Sequence, residues 1–233
     1  IFFRFPMALQ LSADELRCIS DFLGSSVLSY VCQKTWYTLR RRHLSLVADF
    51  SNVSRMMRWL KHDDGICTIA IKCKYITQGS MQDLAKLKDA PSLTNLTLAL
   101  IGNRIGDGGA QAVAALKDAQ SLTSLTLDLM GNHIGDTGAQ ALAALKEAPA
   151  LKSLTLNLCS NHIGDNGAQA LAALKEAPVL NVLTLNLWDN QIGDSGAQAL
   201  STLKEAPALR ELDLDVWSNQ IGHIGARALG MVH

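Results

Sequence analysis

Leu125-Thr126-Leu127-Asp128-Leu129-Met130-Gly131-Asn132-His133-Ile134-Gly135-Asp136-Thr137-Gly138-Ala139-Gln140-Ala141-Leu142 changes its hydrophobic period part-way along. Leu125, Leu127 and Leu129 alternate with Thr126 and Asp128, the period-2 pattern of a strand buried on one side. From Asp136 to Lys146 the apolar residues Ala139, Leu142 and Leu145 fall three apart, which is the spacing of one helix face. Each strand is therefore followed by a helix that covers it.

The passage recurs. Ile105, Ile134, Ile163, Ile192 and Ile221 are separated by 29 residues, and so are Asn103, Asn132, Asn161, Asn190 and Asn219. A unit this short cannot bury its apolar side alone, so the copies must stack into one continuous core with parallel strands. A further step of 29 reaches Ile76, and Ile66 to Ile76 fits Leu-x-x-Leu-x-Leu-x-x-Asn-x-Ile with Lys74 in the asparagine place. A degenerate leading copy is expected there.

Asp107, Asp136, Asp165 and Asp194 stand at the helix starts, where a carboxylate accepts hydrogen bonds from N–H groups that lack a partner in the helix. Lys146, Lys175 and Lys204 sit near the helix C-termini and complement the macrodipole, and Pro149, Pro178 and Pro207 keep the chain from continuing helically.

With the leucines pointing inward, three columns point outward. The first reads Thr97, Thr126, Thr155, Thr184 and Asp213, and the second Ala99, Asp128, Asn157, Asn186 and Asp215. The third holds Ile101, Met130, Cys159, Trp188 and Trp217, apolar at positions where no core requirement is apparent. Exposed apolar residues rimmed by polar ones suggest a binding surface, and tryptophan often carries interface energy. The candidate patch runs from Met130 to Trp217, with Asp128, Asp213 and Asp215 attracting basic groups of a partner. The competing reading turns this column into the interior.

The rest of the composition excludes more than it suggests. The chain has 233 residues, 48% of them hydrophobic, and its 21 basic residues balance 21 acidic ones. That is no overall polyanion-binding signal, and the basic run Arg40, Arg41, Arg42, His43 reads as a solvated helix end, so nucleic acid is not expected as a partner. The five cysteines are scattered without paired spacing, which reads as reduced thiols rather than a metal or disulfide framework. No apolar run reaches the roughly 18 residues of a membrane span, and the opening Ile1-Phe2-Phe3-Arg4-Phe5-Pro6 lacks the form of a secretory signal. A cytoplasmic or nuclear location without membrane attachment is expected. The array offers no nucleophile beside a base, no phosphate-binding glycine loop and no paired carboxylates in a dry pocket, so neither catalysis nor a cofactor is expected.

Period, asparagine column and the Gly-Asp-x-Gly helix start together resemble the leucine-rich-repeat family, and Ile134 to Leu142 looks like its ribonuclease-inhibitor type. The likeness runs over residues 64–233, except that His223 replaces the aspartate in the last copy. It implies an α/β solenoid with parallel strands on the concave face, helices on the convex face, and a protein-binding role. It also implies that the asparagines form an internal ladder satisfying the backbone of neighbouring turns. His133 and His162, one repeat apart, share a column with Arg104, Gln191 and Gln220, which makes a surface position a better account than a metal site.

Ahead of the repeats the apolar spacing is helical. Leu11-Ser12-Ala13-Asp14-Glu15-Leu16-Arg17-Cys18-Ile19-Ser20-Asp21-Phe22-Leu23, followed by Val31-Cys32-Gln33-Lys34-Thr35-Trp36-Tyr37-Thr38-Leu39, resembles an F-box. The resemblance implies a small all-helical domain over residues 7–43 that docks on the Skp adaptor of a cullin ubiquitin ligase (SCF) while the repeats hold a protein substrate. Leu11, Leu16, Ile19, Phe22, Leu23, Val31, Cys32 and Trp36 would make its core and adaptor face. The alternative is a stand-alone scaffold or inhibitor whose N-terminal helices only cap the solenoid. Residues 44–63 read as a linker or a degenerate leading repeat, with Val53, Met56, Met57 and Leu60 suggesting a helix. Met7 is a credible initiator, and the apolar edge of Leu212, Leu214 and Leu229 predicts an array that continues or is covered by another chain.

Overall fold

The computed structural model describes residues 43–49, 66–76 and 78–230, with 43–49 as backbone alone. The F-box-like stretch, His43 apart, and the helix expected around Val53 to Leu60 lie outside the described residues. Seven strands form one sheet in chain order: β1 (His43–Asp49), β2 (Thr68–Lys74), β3 (Asn95–Ala99), β4 (Ser124–Asp128), β5 (Ser153–Asn157), β6 (Val182–Asn186) and β7 (Glu211–Asp215). All neighbours are parallel. Among the described residues six helices follow β2 to β7 in turn: α1 (Gln78–Ala85), α2 (Gly106–Ala114), α3 (Asp136–Ala143), α4 (Asp165–Ala172), α5 (Asp194–Ser201) and α6 (His223–Leu229). His43 opens a strand rather than closing a helix, in keeping with the alternating Leu44, Leu46 and Ala48 behind it.

From β3 onward the register advances by 29 residues, pairing Leu98 with Leu127 and Leu127 with Leu156. Between β2 and β3 it advances by 27, pairing Ile71 with Leu98. The leading copy thus departs from the 29-residue frame read from Ile76. Its strand exit is two residues shorter, so Lys74 does not take the asparagine's place. Instead Asn103 of the following copy serves both turns, its Oδ1 accepting from the Ile76 N–H at 2.9 Å and its Nδ2 donating to the Cys73 carbonyl at 3.1 Å.

The core lies between sheet and helices. Leu127, Leu129, Ile134, Ala139 and Leu142 of one copy have no exposed surface, and their equivalents one repeat on are buried to the same degree. Each such leucine contributes roughly 1.5–3 kcal/mol through loss of apolar surface to water. In β7, which has a described neighbour on one side only, Leu212 and Leu214 are half-buried. Helices α2 to α5 each close in a 3₁₀ turn, as at Ala144–Glu147. The alanine that follows is extended, Ala148 at φ −64°, ψ 119° ahead of Pro149. Ala119, ahead of Gln120, is extended too at φ −69°, ψ 115°. Proline reinforces this stop but is not required for it.

On the outer rim the helix-end lysines do more than meet a dipole. Lys88, Lys117 and Lys146 reach across to Asp118, Glu147 and Glu176 of the next copy, at 3.0, 2.5 and 2.5 Å. Lys204 caps α6 by donating to the Leu229 carbonyl at 2.6 Å. Hydrogen bonding from Lys88 holds the Asp118 carboxyl below its ordinary value of 3.8, and hydrogen bonding and charge from Lys146 hold Glu176 below 4.5. Hydrogen bonding and charge from Glu147 raise Lys117 above 10.5. The carboxylates' share of stability is complete above their ordinary values and disappears as pH falls through the lowered ones. The share of Lys117 is complete below its ordinary value and disappears as pH rises through the raised one. Because these pairs face solvent, thermal melts between pH 7 and 3 should show a modest drop that begins as pH falls below 4.5 and shrinks in 1 M salt.

Candidate partner-binding surface

Alternation along the strands decides which side chains are offered to a partner. In β4, β5 and β6 the leucines are buried while Thr126, Asp128, Thr155, Asn157, Thr184 and Asn186 are half-buried on the face turned away from the helices. Past the strand ends Leu100, Leu129, Leu158, Leu187 and Val216 are buried, and the residue after each occupies the third column. Ile101 is 48% exposed, Met130 37%, Trp188 40% and Trp217 72%. Cys159 departs from the expected patch: it is 6% exposed, the smallest side chain of the column, with its Sγ 3.4 Å from Ser160 Oγ. It offers a partner almost no surface.

The second column has a role the sequence reading missed. Asp128, Asn157, Asn186 and Asp215 each accept, through Oδ1, the N–H two residues on, at Met130 (3.4 Å), Cys159 (3.2 Å), Trp188 (2.9 Å) and Trp217 (3.0 Å). These Asx turns fix the backbone at the strand exits that carry the third column, although Ile101, with Ala99 before it, is exposed without one. The signal was present in the sequence, since a short acceptor side chain stands two residues before every one of those four positions. After them the chain takes a left-handed residue, Gly131 at φ 65° or Ser160, Asp189 and Ser218 at φ 54–56°. That reversal ends the outward column and turns the chain toward the buried asparagine. Asp213 and Glu211 stand exposed on β7, beside half-buried Asp215.

Beneath the face the asparagines form the expected ladder. Asn161 accepts from the N–H groups of Asn132 and Ile134, and its Nδ2 lies within bonding distance of the carbonyls of Leu129, Leu158 and Cys159. The aspartates are caps, but of a different helix from the one expected. Asp136 makes no capping bond to its own α3; its Oδ1 accepts from Gly164 at 2.7 Å and Gly167 at 2.9 Å, at the start of α4. Asp107, Asp165 and Asp194 do the same for the helices after theirs. Asp136 is the first residue of its own helix, past the N-cap position from which a side chain reaches back to the free N–H groups.

His133 and His162 meet on the surface, Nδ1 to Nε2 at 3.1 Å with ring centroids 5.3 Å apart. The rings touch edge to edge, so both nitrogens aim along the line between them, as in a hydrogen bond, and not at a common third point as chelation needs. Among the described residues no three histidine, cysteine or acidic side chains converge, and no helix is long and apolar enough to cross a membrane.

A stack of strand-and-helix copies with buried leucines, an amide ladder and a solvent-facing sheet defines a repeat solenoid. Residues 92–114, 121–143, 150–172 and 180–201 match the Leucine Rich repeat family model, and these repeats indicate a protein-interaction module. No curated protein matches the chain. The crystal structure of an internalin from Listeria monocytogenes is similar at 15% identity and a TM-score of 0.23, over 100% of this chain and 98% of that one.

Proposed function

We propose that the protein is a substrate-recognition subunit of a cullin-type (SCF) ubiquitin ligase, with the repeats holding a protein substrate and residues 7–43 docking on a Skp-type adaptor. The carrying observation is the order of parts: an F-box-like string from Leu11 to Leu39 ahead of an array whose sheet face offers Met130, Trp188 and Trp217 to solvent. One helix per 29 residues also supports the ribonuclease-inhibitor type of repeat. On this reading the chain is non-enzymatic, cytoplasmic or nuclear, and needs neither cofactor nor nucleic acid. Met130, Trp188, Trp217 and Asp213 form its substrate side.

The rival is a free-standing scaffold whose N-terminal helices only cap the array. Co-purification with the Skp adaptor separates the two. Wild type should retain the adaptor, and Leu16→Asp with Ile19→Asp should abolish retention while leaving the circular dichroism of the array intact. Retention unchanged by that pair, or none by wild type, would leave the scaffold reading in place.

A further inference from the structure

The copies differ least where they pack and most at one corner of the solvent face. Buried columns repeat leucine with little change, whereas the outward residues shift in character over the last two strands. Ser124, Ser153 and Val182 give way to Glu211, and Thr126, Thr155 and Thr184 to Asp213. Asp215 follows Asn157 and Asn186 as Asp128 precedes them, while Met130 and Cys159 are succeeded by Trp188 and Trp217. Asp189 adds an exposed carboxylate directly after the first tryptophan.

The two tryptophans stand at adjacent strand exits. Their strands lie about 4.8 Å apart, and the Asp189 N–H donates to the Trp217 carbonyl at 3.0 Å, tying the two strand exits together. Trp188, inside the sheet, is 40% exposed, and Trp217, past a strand with a described neighbour on one side only, is 72% exposed. No lysine or arginine pairs with Glu211, Asp213, Asp215 or Asp189 among the described residues. The nearest basic residue in sequence, Arg210, directly precedes Glu211 at the entry of β7, roughly 20 Å from Trp217 along an extended chain. The carboxylates of Asp189 and Asp215 lie within two residues of a tryptophan, and with Asp213 and Glu211 further back along β7 they repel polyanions. They attract a group that is both cationic and flat, because guanidinium stacks on tryptophan while its N–H fork meets carboxylates.

We infer that the β6–β7 corner of the sheet face takes an arginine-bearing, extended segment of a partner protein, its guanidinium groups stacked on Trp188 and Trp217 and paired with Asp213 and its acidic neighbours. The inference rests on the protein-binding reading and adds to it the chemistry of the partner. Electrostatics steer the segment to these strands, and the Asx turns at Asn186 and Asp215 fix the backbone that carries the indoles.

The test uses the full chain and three fluorescent eight-residue peptides: alternating arginine and threonine, then the same with lysine or glutamate in place of arginine. Alternation puts the charged side chains on one face of an extended strand, about 7 Å apart. Anisotropy titrations should show arginine binding best, lysine more weakly and glutamate not at all, with affinity falling as salt rises. Trp217→Ala, and separately Glu211→Ser with Asp213→Thr and Asp215→Asn, should each weaken the arginine peptide tenfold or more. Equal binding of the glutamate peptide, no binding of the arginine peptide, or binding undiminished in folded Trp188→Ala/Trp217→Ala would overturn the inference. Peptide binding undiminished in the folded triple variant would overturn it too. A protein partner whose capture needs Trp217 but not the carboxylates would preserve the protein-binding reading and remove this one.

Discussion

Asn161→Leu should cost the array about 3–5 kcal/mol, with a fall of roughly 10 °C in the melting temperature. The leucine is close in volume and suits its surroundings, so the loss comes from what the amide leaves behind. Asn161 is 4% exposed and serves two turns of the solenoid. The N–H groups of Asn132 and Ile134 lose their acceptor and the Leu129 carbonyl loses a donor, whereas the Leu158 carbonyl keeps the Asn190 amide at 3.0 Å. Each unsatisfied buried group costs about 1–3 kcal/mol, less where water reaches the gap. Because a repeat array need not unfold in one step, hydrogen exchange is the better readout. Protection should fall at residues 129–134 and 158–163 before it falls elsewhere. Thr155→Ala on the outward face, as a control, should change stability by no more than about 0.5 kcal/mol. A loss below about 1 kcal/mol for the asparagine variant would show that the ladder is dispensable.

Much of this was legible in the sequence because the interior obeys one period. A leucine every second residue and an apolar face every third to fourth leave one way to stack 29-residue copies, and the parallel sheet follows from that. The leading copy was misread by two residues because Ile76 does fall 29 before Ile105, while the strand before it aligns at 27. A local deletion is invisible when both frames place isoleucine inward. Cys159 was read as exposed because its column is apolar and outward, yet a short side chain in that column need not reach solvent. The aspartates were assigned to the wrong helix because a single copy was read in isolation, whereas the carboxylate looks sideways. With hindsight the sequence held a check. The residue one repeat before Asp107 is Gln78, so α2 has no aspartate behind it, and its start is wound differently, with Gly106 at φ 58° and its N–H donated to the Asn132 carbonyl. Where the aspartate is present, Gly135, Gly164 and Gly193 are extended instead.

The same sideways bond explains the second glycine of the Gly-Asp-x-Gly start and predicts a substitution that helix propensity alone would favour. Gly167 lies in the first turn of α4 with ordinary helical dihedrals, so alanine should stabilise the helix by up to about 1 kcal/mol. Gly167→Ala should instead destabilise the protein by about 2–4 kcal/mol. A Cβ there would stand 2.6 Å from Asp136 Oδ1, 2.7 Å from Ile163 Cγ2 and 3.1 Å from Ala139 Cβ. Relief requires moving α4 away from α3, and that stretches the 2.9 Å bond by which the Gly167 N–H meets the carboxylate. Steric overlap and loss of a charge-assisted hydrogen bond therefore act together. A double-mutant cycle separates this from generic crowding. Asp136→Ala removes the nearest obstruction and the bond at once, so the glycine substitution should cost at least about 1 kcal/mol less in that background than in wild type. Additive effects would place the clash with Ile163 and Ala139 alone, and a stabilised Gly167→Ala would mean that the helices have room to separate without losing the cap.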